Sequence, residues 1–261
     1  MSPPPPPAVV GAGSPVILLH GVGLDGRVFG PLVARLVATR TVVVPIRRGY
    51  GPELSAPAAS LAEHVEDLVA VADRLALDRV ELVGVSGGAT LALLAGITHP
   101  GRFHRIIAHE PLIGPRAGHL HQLMAERAAL LARTPADDPD AGVRSFLRDL
   151  VGPATWGRLD PALRRDVDRV ATTVRAEVPL FAAFDPNDRT LARLRGTDLL
   201  ITVGSRSPLA RQRAAGILGL VSGGSVRVIP DCDHLACVDA PDQLAATVTR
   251  TFGVRPAVAA V

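Results

Sequence analysis

One stretch restricts this chain more than any other. Val80 to Val85 is a short apolar run of strand length, and Ala89 to Ile97 is an apolar run of helical length. Between them lies Gly84-x-Ser86-x-Gly88. A strand that becomes a helix within so few residues forces the residue at the apex into a strained backbone. Small residues two before and two after the apex relieve the crowding, and glycine occupies both places. The apex side chain then projects from the sheet edge, above the N-terminus of the following helix. Glycine and serine are common in turns, so the pentapeptide by itself is weak. The flanking strand and helix make Ser86 a candidate nucleophile.

The rest of the chain repeats the alternation. Strand-like runs recur at Val16 to Leu19, Thr41 to Ile46, Arg105 to His109, Leu199 to Val203 and Ser225 to Ile229. Helical spacing is found at Phe29 to Ala38, and a last helix is expected from Pro241 to Phe252. Ser60-Leu61-Ala62-Glu63 is a capping box that opens a helix burying Leu61, Val65, Leu68, Val69, Ala72 and Leu75. Alternating strands and helices imply an α/β fold with a mostly parallel central sheet covered on both faces. Residues 112–194 differ: helical patterns at Leu120 to Ala132 and Val143 to Leu150 are broken by stretches such as Thr134 to Pro139. The expected organisation is a Pro-rich, disordered head over 1–13, a core over 14–111 and 195–255, and a helical lid over 112–194. The lid would lie over the carboxyl ends of the strands, where ligands bind in such sheets.

Composition narrows the function. The chain has 261 residues, 48% apolar and 20% charged, enough for one substantial core. All 28 basic residues are Arg, yet the net charge is only +3 and they are scattered, which argues against nucleic-acid and membrane partners. Aromatic residues at 3% leave little to stack on bases. Cys232 and Cys237 form neither a disulfide framework nor a complete metal site, and are expected to be reduced core thiols. The Pro run at Met1 to Pro7 fails as a signal peptide, and no apolar run reaches membrane-spanning length. A cytoplasmic protein acting on a small molecule is the expectation.

Three marks in order carry a resemblance: His20-Gly21 after the first core strand, Gly84-Val85-Ser86-Gly87-Gly88, and Asp233-His234 after the last strand. Together they resemble the α/β-hydrolase fold superfamily over nearly the whole length. A serine hydroxyl needs a base to take its proton, and His234, in the loop after Val226 to Ile229, is placed to be that base. The resemblance implies an oxyanion hole from the backbone N–H groups of Val22 and Gly87. It also implies an acid after Leu199 to Val203, but Gly204-Ser205-Arg206-Ser207-Pro208 holds no carboxylate, and Ser207 stands near the expected position. A second acid position in this fold, at the end of the strand after the elbow helix, corresponds to Glu110. Asp185 and Asp188 in the expected lid remain alternatives, as does a dyad with no acid.

The resemblance implies hydrolysis of a small to medium apolar ester, lactone or thioester through an acyl-enzyme on Ser86, without metal or organic cofactor. A C–C bond hydrolase, a non-hydrolytic lyase or cyclase, and a catalytically silent binding protein are the competing readings.

Overall fold

Parallel pairing of short apolar runs builds the molecule. The structure, a computed structural model, describes residues 5–51, 56–113, 126, 129, 131, 138 and 140–253. The sheet has seven strands: β1 (Ala8–Val10), β2 (Ser14–Leu19), β3 (Arg40–Val44), β4 (Val80–Val85), β5 (Phe103–His109), β6 (Asp198–Gly204) and β7 (Ser225–Ile229). Their order is β1-β3-β2-β4-β5-β6-β7. Only β1 is antiparallel, pairing Ala8 with Val44 and Val10 with Val42. This strand corrects one expectation: the sheet begins inside the segment 1–13 read as a disordered head. Three exposed residues between a Pro run and a Gly-rich stretch carry no alternation, so their ordering comes from the free edge of β3.

Helices α1 (Gly30–Leu36), α2 (Leu61–Arg74) and α3 (Gly87–Thr98) connect the first strands. Ser60 caps α2 as its sequence implies: its Oγ accepts from the Glu63 N–H, and the Glu63 carboxylate accepts from the Ala59 N–H. β4 is central and buried along its whole length, and α3 is buried on nearly every side, which matches their unbroken apolar sequences.

Between β5 and β6 the described residues hold no strand. They form α4 (Ala141–Val151), α5 (Pro153–Arg158), α6 (Pro161–Arg165), α7 (Ala171–Ala182) and α8 (Asp188–Leu191). The helical pattern at Leu120 to Ala132 falls outside the described residues apart from Glu126, Ala129 and Leu131, and the break at Thr134 to Pro139 apart from Asp138. After β6 comes α9 (Leu209–Ser222), which sequence periodicity did not reveal, then α10 (Ala236–Asp239) and α11 (Pro241–Phe252) beyond β7. One apolar core lies between the sheet and α2, α3, α9 and the inserted helices. A second lies on the opposite face, against α1 and α11. Among the described residues no helix is long and apolar enough to cross a membrane.

Candidate active site

Ser86 stands at the junction of β4 and α3 with φ 57° and ψ −124°, a conformation side chains rarely adopt. Such a residue costs of order 1–3 kcal/mol and persists only where its surroundings hold it. Here the Ser86 N–H donates to His109 O at 2.9 Å, and the Ser86 carbonyl accepts from the Ala89 and Thr90 N–H groups. The two glycines are needed for close approach. A Cβ on Gly84 would lie 2.4 Å from Gly88 O, and one on Gly88 would lie 2.0 Å from Leu19 O.

His234 reaches Ser86 from the loop after β7, and Glu110 stands one residue beyond the end of β5. Glu110 also has positive φ, 48°, and its N–H donates to Thr202 O at 2.9 Å on the neighbouring strand. That turn directs the carboxylate to His234: Nδ1–H of His234 donates to Glu110 Oε2 at 2.8 Å. With Nδ1 protonated, Nε2 is the acceptor, and Ser86 Oγ–H donates to it at 2.9 Å. Ser86, His234 and Glu110 are therefore one hydrogen-bonded chain drawn from three strand ends. Asp185 and Asp188 take no place in it.

The carboxylate is held from its other side. Glu110 Oε1 accepts from the Gly204 N–H at 2.9 Å and from Ser207 Oγ–H. Ser207, at the position without a carboxylate, thus supports the carboxylate of Glu110 just beyond β5. Arg211 of α9 places Nη1 3.3 Å from Glu110 Oε2. Burial pushes the Glu110 carboxyl upward, but the His234 hydrogen bond and Arg211 outweigh it and hold the group well below the usual carboxylate range. His234 is lowered to about 4 by burial first and by Arg211 second, so its imidazole is neutral at physiological pH.

Gly87 is the first residue of α3, and the first N–H groups of a helix have no acceptor within it. Val22 lies in the loop after β2, against the elbow: a Cβ on the adjacent Gly21 would stand 3.0 Å from Ser86 Cβ. Ser86, His234 and Glu110 are 2%, 1% and 4% exposed, so the chain of polar groups is closed off from solvent. Beside it is an apolar cavity of about 10 Å3, room for one water, lined in part by Leu24, Val28, Leu150 and Val151. Among the described residues no group of three or more His, Cys, Asp or Glu is arranged to hold a metal ion. Both cysteines are free and buried, and burial raises each thiol to about 12.

The sequence profile of the alpha/beta hydrolase family matches residues 16–247, which takes in every residue of this site. The chain belongs to the α/β hydrolase family. Among curated relatives it is 37% identical over 102 residues to a 2-hydroxymuconate semialdehyde hydrolase of Pseudomonas putida, covering 37% of this chain and 36% of that protein. It is 34% identical over 103 residues to a Pseudomonas putida 2-hydroxy-6-oxo-2,4-heptadienoate hydrolase, covering 38% and 37%. The aligned chain thus spans little more than a third of these relatives' length. Among solved structures it is similar to the enol-lactonase of Burkholderia xenovorans LB400, with TM-score 0.76, 16% identity and coverage of 94% and 95%. It is also similar to a meta-cleavage product hydrolase of Pseudomonas fluorescens IP01, with TM-score 0.74, 18% identity and coverage of 94% and 93%. At these identities the structural likeness concerns the fold.

Sequence reasoning did not single out Arg211. It lies in α9, whose apolar residues include the exposed Leu209, Ile217 and Leu220, so the helix shows no clear buried face from which an inward-facing Arg stands out. Arg47 and Tyr50, which contact Gly21 O and the Gly23 N–H beside the elbow, and Glu177, which pairs with both, were likewise not legible, because residues 127 and 130 positions apart meet only in the folded chain.

Proposed function

We propose that the chain is a serine hydrolase that cleaves a small to medium apolar ester, lactone or thioester through an acyl-enzyme on Ser86. The hydrogen-bonded sequence Ser86–His234–Glu110 carries the reading, because a nucleophile, its base and the group that orients the base stand in order at 2.9 and 2.8 Å. In the first half-reaction His234 Nε2 takes the Ser86 proton as Oγ attacks the substrate carbonyl. Glu110 holds the imidazole in the required tautomer and stabilises the imidazolium. The Val22 and Gly87 N–H groups meet the developing oxyanion, and each such donor contributes roughly 3–4 kcal/mol. His234 then protonates the leaving group, and a water activated by the same base releases the acid. Neither a metal nor an organic cofactor enters this scheme.

Residues 112–194 act in this reading as a lid that sets substrate choice. The cavity beside Ser86 holds about one water, and α4 contributes Leu150 and Val151 to it. A substrate enters only if those helices move, as lids do in related reactions. A cytoplasmic setting fits two free, buried thiols.

A C–C bond hydrolase is the second reading. It is favoured by the similarity to proteins named 2-hydroxymuconate semialdehyde hydrolase and 2-hydroxy-6-oxo-2,4-heptadienoate hydrolase. Fluorophosphonate labelling tests the nucleophile: wild type should react at Ser86 and Ser86→Ala should not. A panel of p-nitrophenyl esters, acyl-thioesters and vinylogous 1,5-diketones then separates the two readings. Turnover confined to the diketones would overturn the ester reading. Absence of labelling would favour a silent binding protein.

A further inference from the structure

A second buried ionic cluster lies beside the Ser86–His234–Glu110 chain. Glu177, on α7, is fully buried. Its Oε1 accepts from Arg47 Nη2 at 2.6 Å and from His64 Nε2–H at 2.8 Å, and its Oε2 accepts from Tyr50 O–H at 2.8 Å. Arg47 and Tyr50 come from the turn after β3, and His64 from α2. A buried ion pair is often no more than structural. This one differs in where its members make their remaining contacts.

Arg47 Nη1 donates to Gly21 O at 3.0 Å and to His20 O at 3.3 Å. His20 Nδ1–H adds a second donor to Gly21 O at 2.9 Å. Tyr50 Oη accepts from the Gly23 N–H at 2.9 Å. The Gly21 carbonyl and the Val22 N–H are the two ends of a single peptide plane. Among the described residues every peptide bond is trans, so those two ends point in opposite directions. Holding the carbonyl from behind therefore sets the aim of the N–H. The Gly23 contact fixes the next plane, so Val22 is held on both sides. The same helix covers the other donor: a Cβ on Gly87 would lie 3.0 Å from the Phe181 ring.

We propose that Glu177 is a positioning residue for the oxyanion site. By pairing with Arg47 and Tyr50 it locks the two peptides around Val22, and so makes the aim of the Val22 N–H depend on the seating of α7. The inference rests on the serine-hydrolase reading, with Val22 and Gly87 as donors. Its physical basis is that oxyanion donors are effective because they are oriented before the charge develops. With Glu177 withdrawn, Arg47 becomes a buried cation without its carboxylate. Its guanidinium is then drawn toward water and away from the Gly21 carbonyl.

The test uses the full chain with Glu177→Gln and, separately, Tyr50→Phe. It reads kcat and KM on a p-nitrophenyl ester, and the affinity for an alkyl boronic acid, which becomes tetrahedral on Ser86. In each variant kcat should fall about tenfold to a hundredfold, less than the 10²–10³ of deleting a donor outright. KM should change little, and boronate affinity should weaken by the same factor as kcat/KM. A structural role alone would not tie boronate affinity to kcat/KM in this way. Tyr50→Phe removes one hydroxyl and keeps the test available if Glu177→Gln does not fold. Wild-type kcat in the folded variants, or a loss of kcat with unchanged boronate affinity, overturns the proposal. Failure of the underlying reading shows separately, as absence of fluorophosphonate labelling at Ser86 in wild type, and removes the proposal with it.

Discussion

Arg211 Nη1 stands 3.3 Å from Oε2 of Glu110, the same oxygen that receives His234 Nδ1–H. A fixed cation thus shares the carboxylate that steadies the imidazole. Burial first, and then this cation, which weakens what Glu110 contributes to an imidazolium, keep His234 neutral until the pH is low.

A pH prediction follows from the sign. The base role proposed for His234 requires a neutral imidazole, so activity should be present above its folded pKa and lost as pH falls through it. Burial, then Arg211, lowers that pKa to about 4, well under the ordinary His value of about 6.5. The acid limb of kcat/KM for wild type should therefore lie clearly below pH 6.5. Arg211→Gln should move it upward. An identical limb in the two proteins, measured over pH 3.5–8, would show that Arg211 does not set the titration.

Ser86→Ala should lower kcat on any good substrate by at least about a thousandfold, and His234→Ala should be similarly severe. Fluorophosphonate labelling that survives in Ser86→Ala protein rejects Ser86 as the nucleophile. Wild-type turnover by His234→Ala rejects the base.

Glu110→Gln keeps the volume of the side chain but removes the charge that His234 faces. A loss of about 10³–10⁴ in kcat is expected, with the fold retained. Asp185→Asn and Asp188→Asn should leave kcat near wild type. The reverse pattern would place the acid in the inserted helices instead.

Gly88 packs against the backbone of β2. A Cβ there would lie 2.0 Å from Leu19 O, and backbone cannot yield as a flexible side chain does. Gly88→Ala should therefore destabilise the protein by about 1–3 kcal/mol or more, by analogy with overpacked cores. Urea denaturation monitored by Trp156 fluorescence would measure it. A midpoint equal to wild type would mean that α3 shifts away from β2 at no cost.

What the sequence determined by itself is local. Val80–Val85 and Ser225–Ile229 are strands over the residues their apolar runs mark, and Pro241–Phe252 is a helix over the range expected. Ser86 and its flanking glycines are legible because strain and crowding at a strand-to-helix turn are properties of five consecutive residues. Tertiary structure decided everything that depends on distant parts of the chain meeting. It ordered Ala8–Val10, whose partner is the edge of β3. It put Glu110, and neither Asp185 nor Asp188, against His234, because β5 lies beside β6 and the Glu110 turn brings the carboxylate to the imidazole. It also joined Glu177 to Arg47 and Tyr50 across the molecule. The last two are buried charges, each placed by the partner that satisfies it, and the first is an edge strand placed by backbone pairing; in all three the order of residues along a chain does not say which partner will be near.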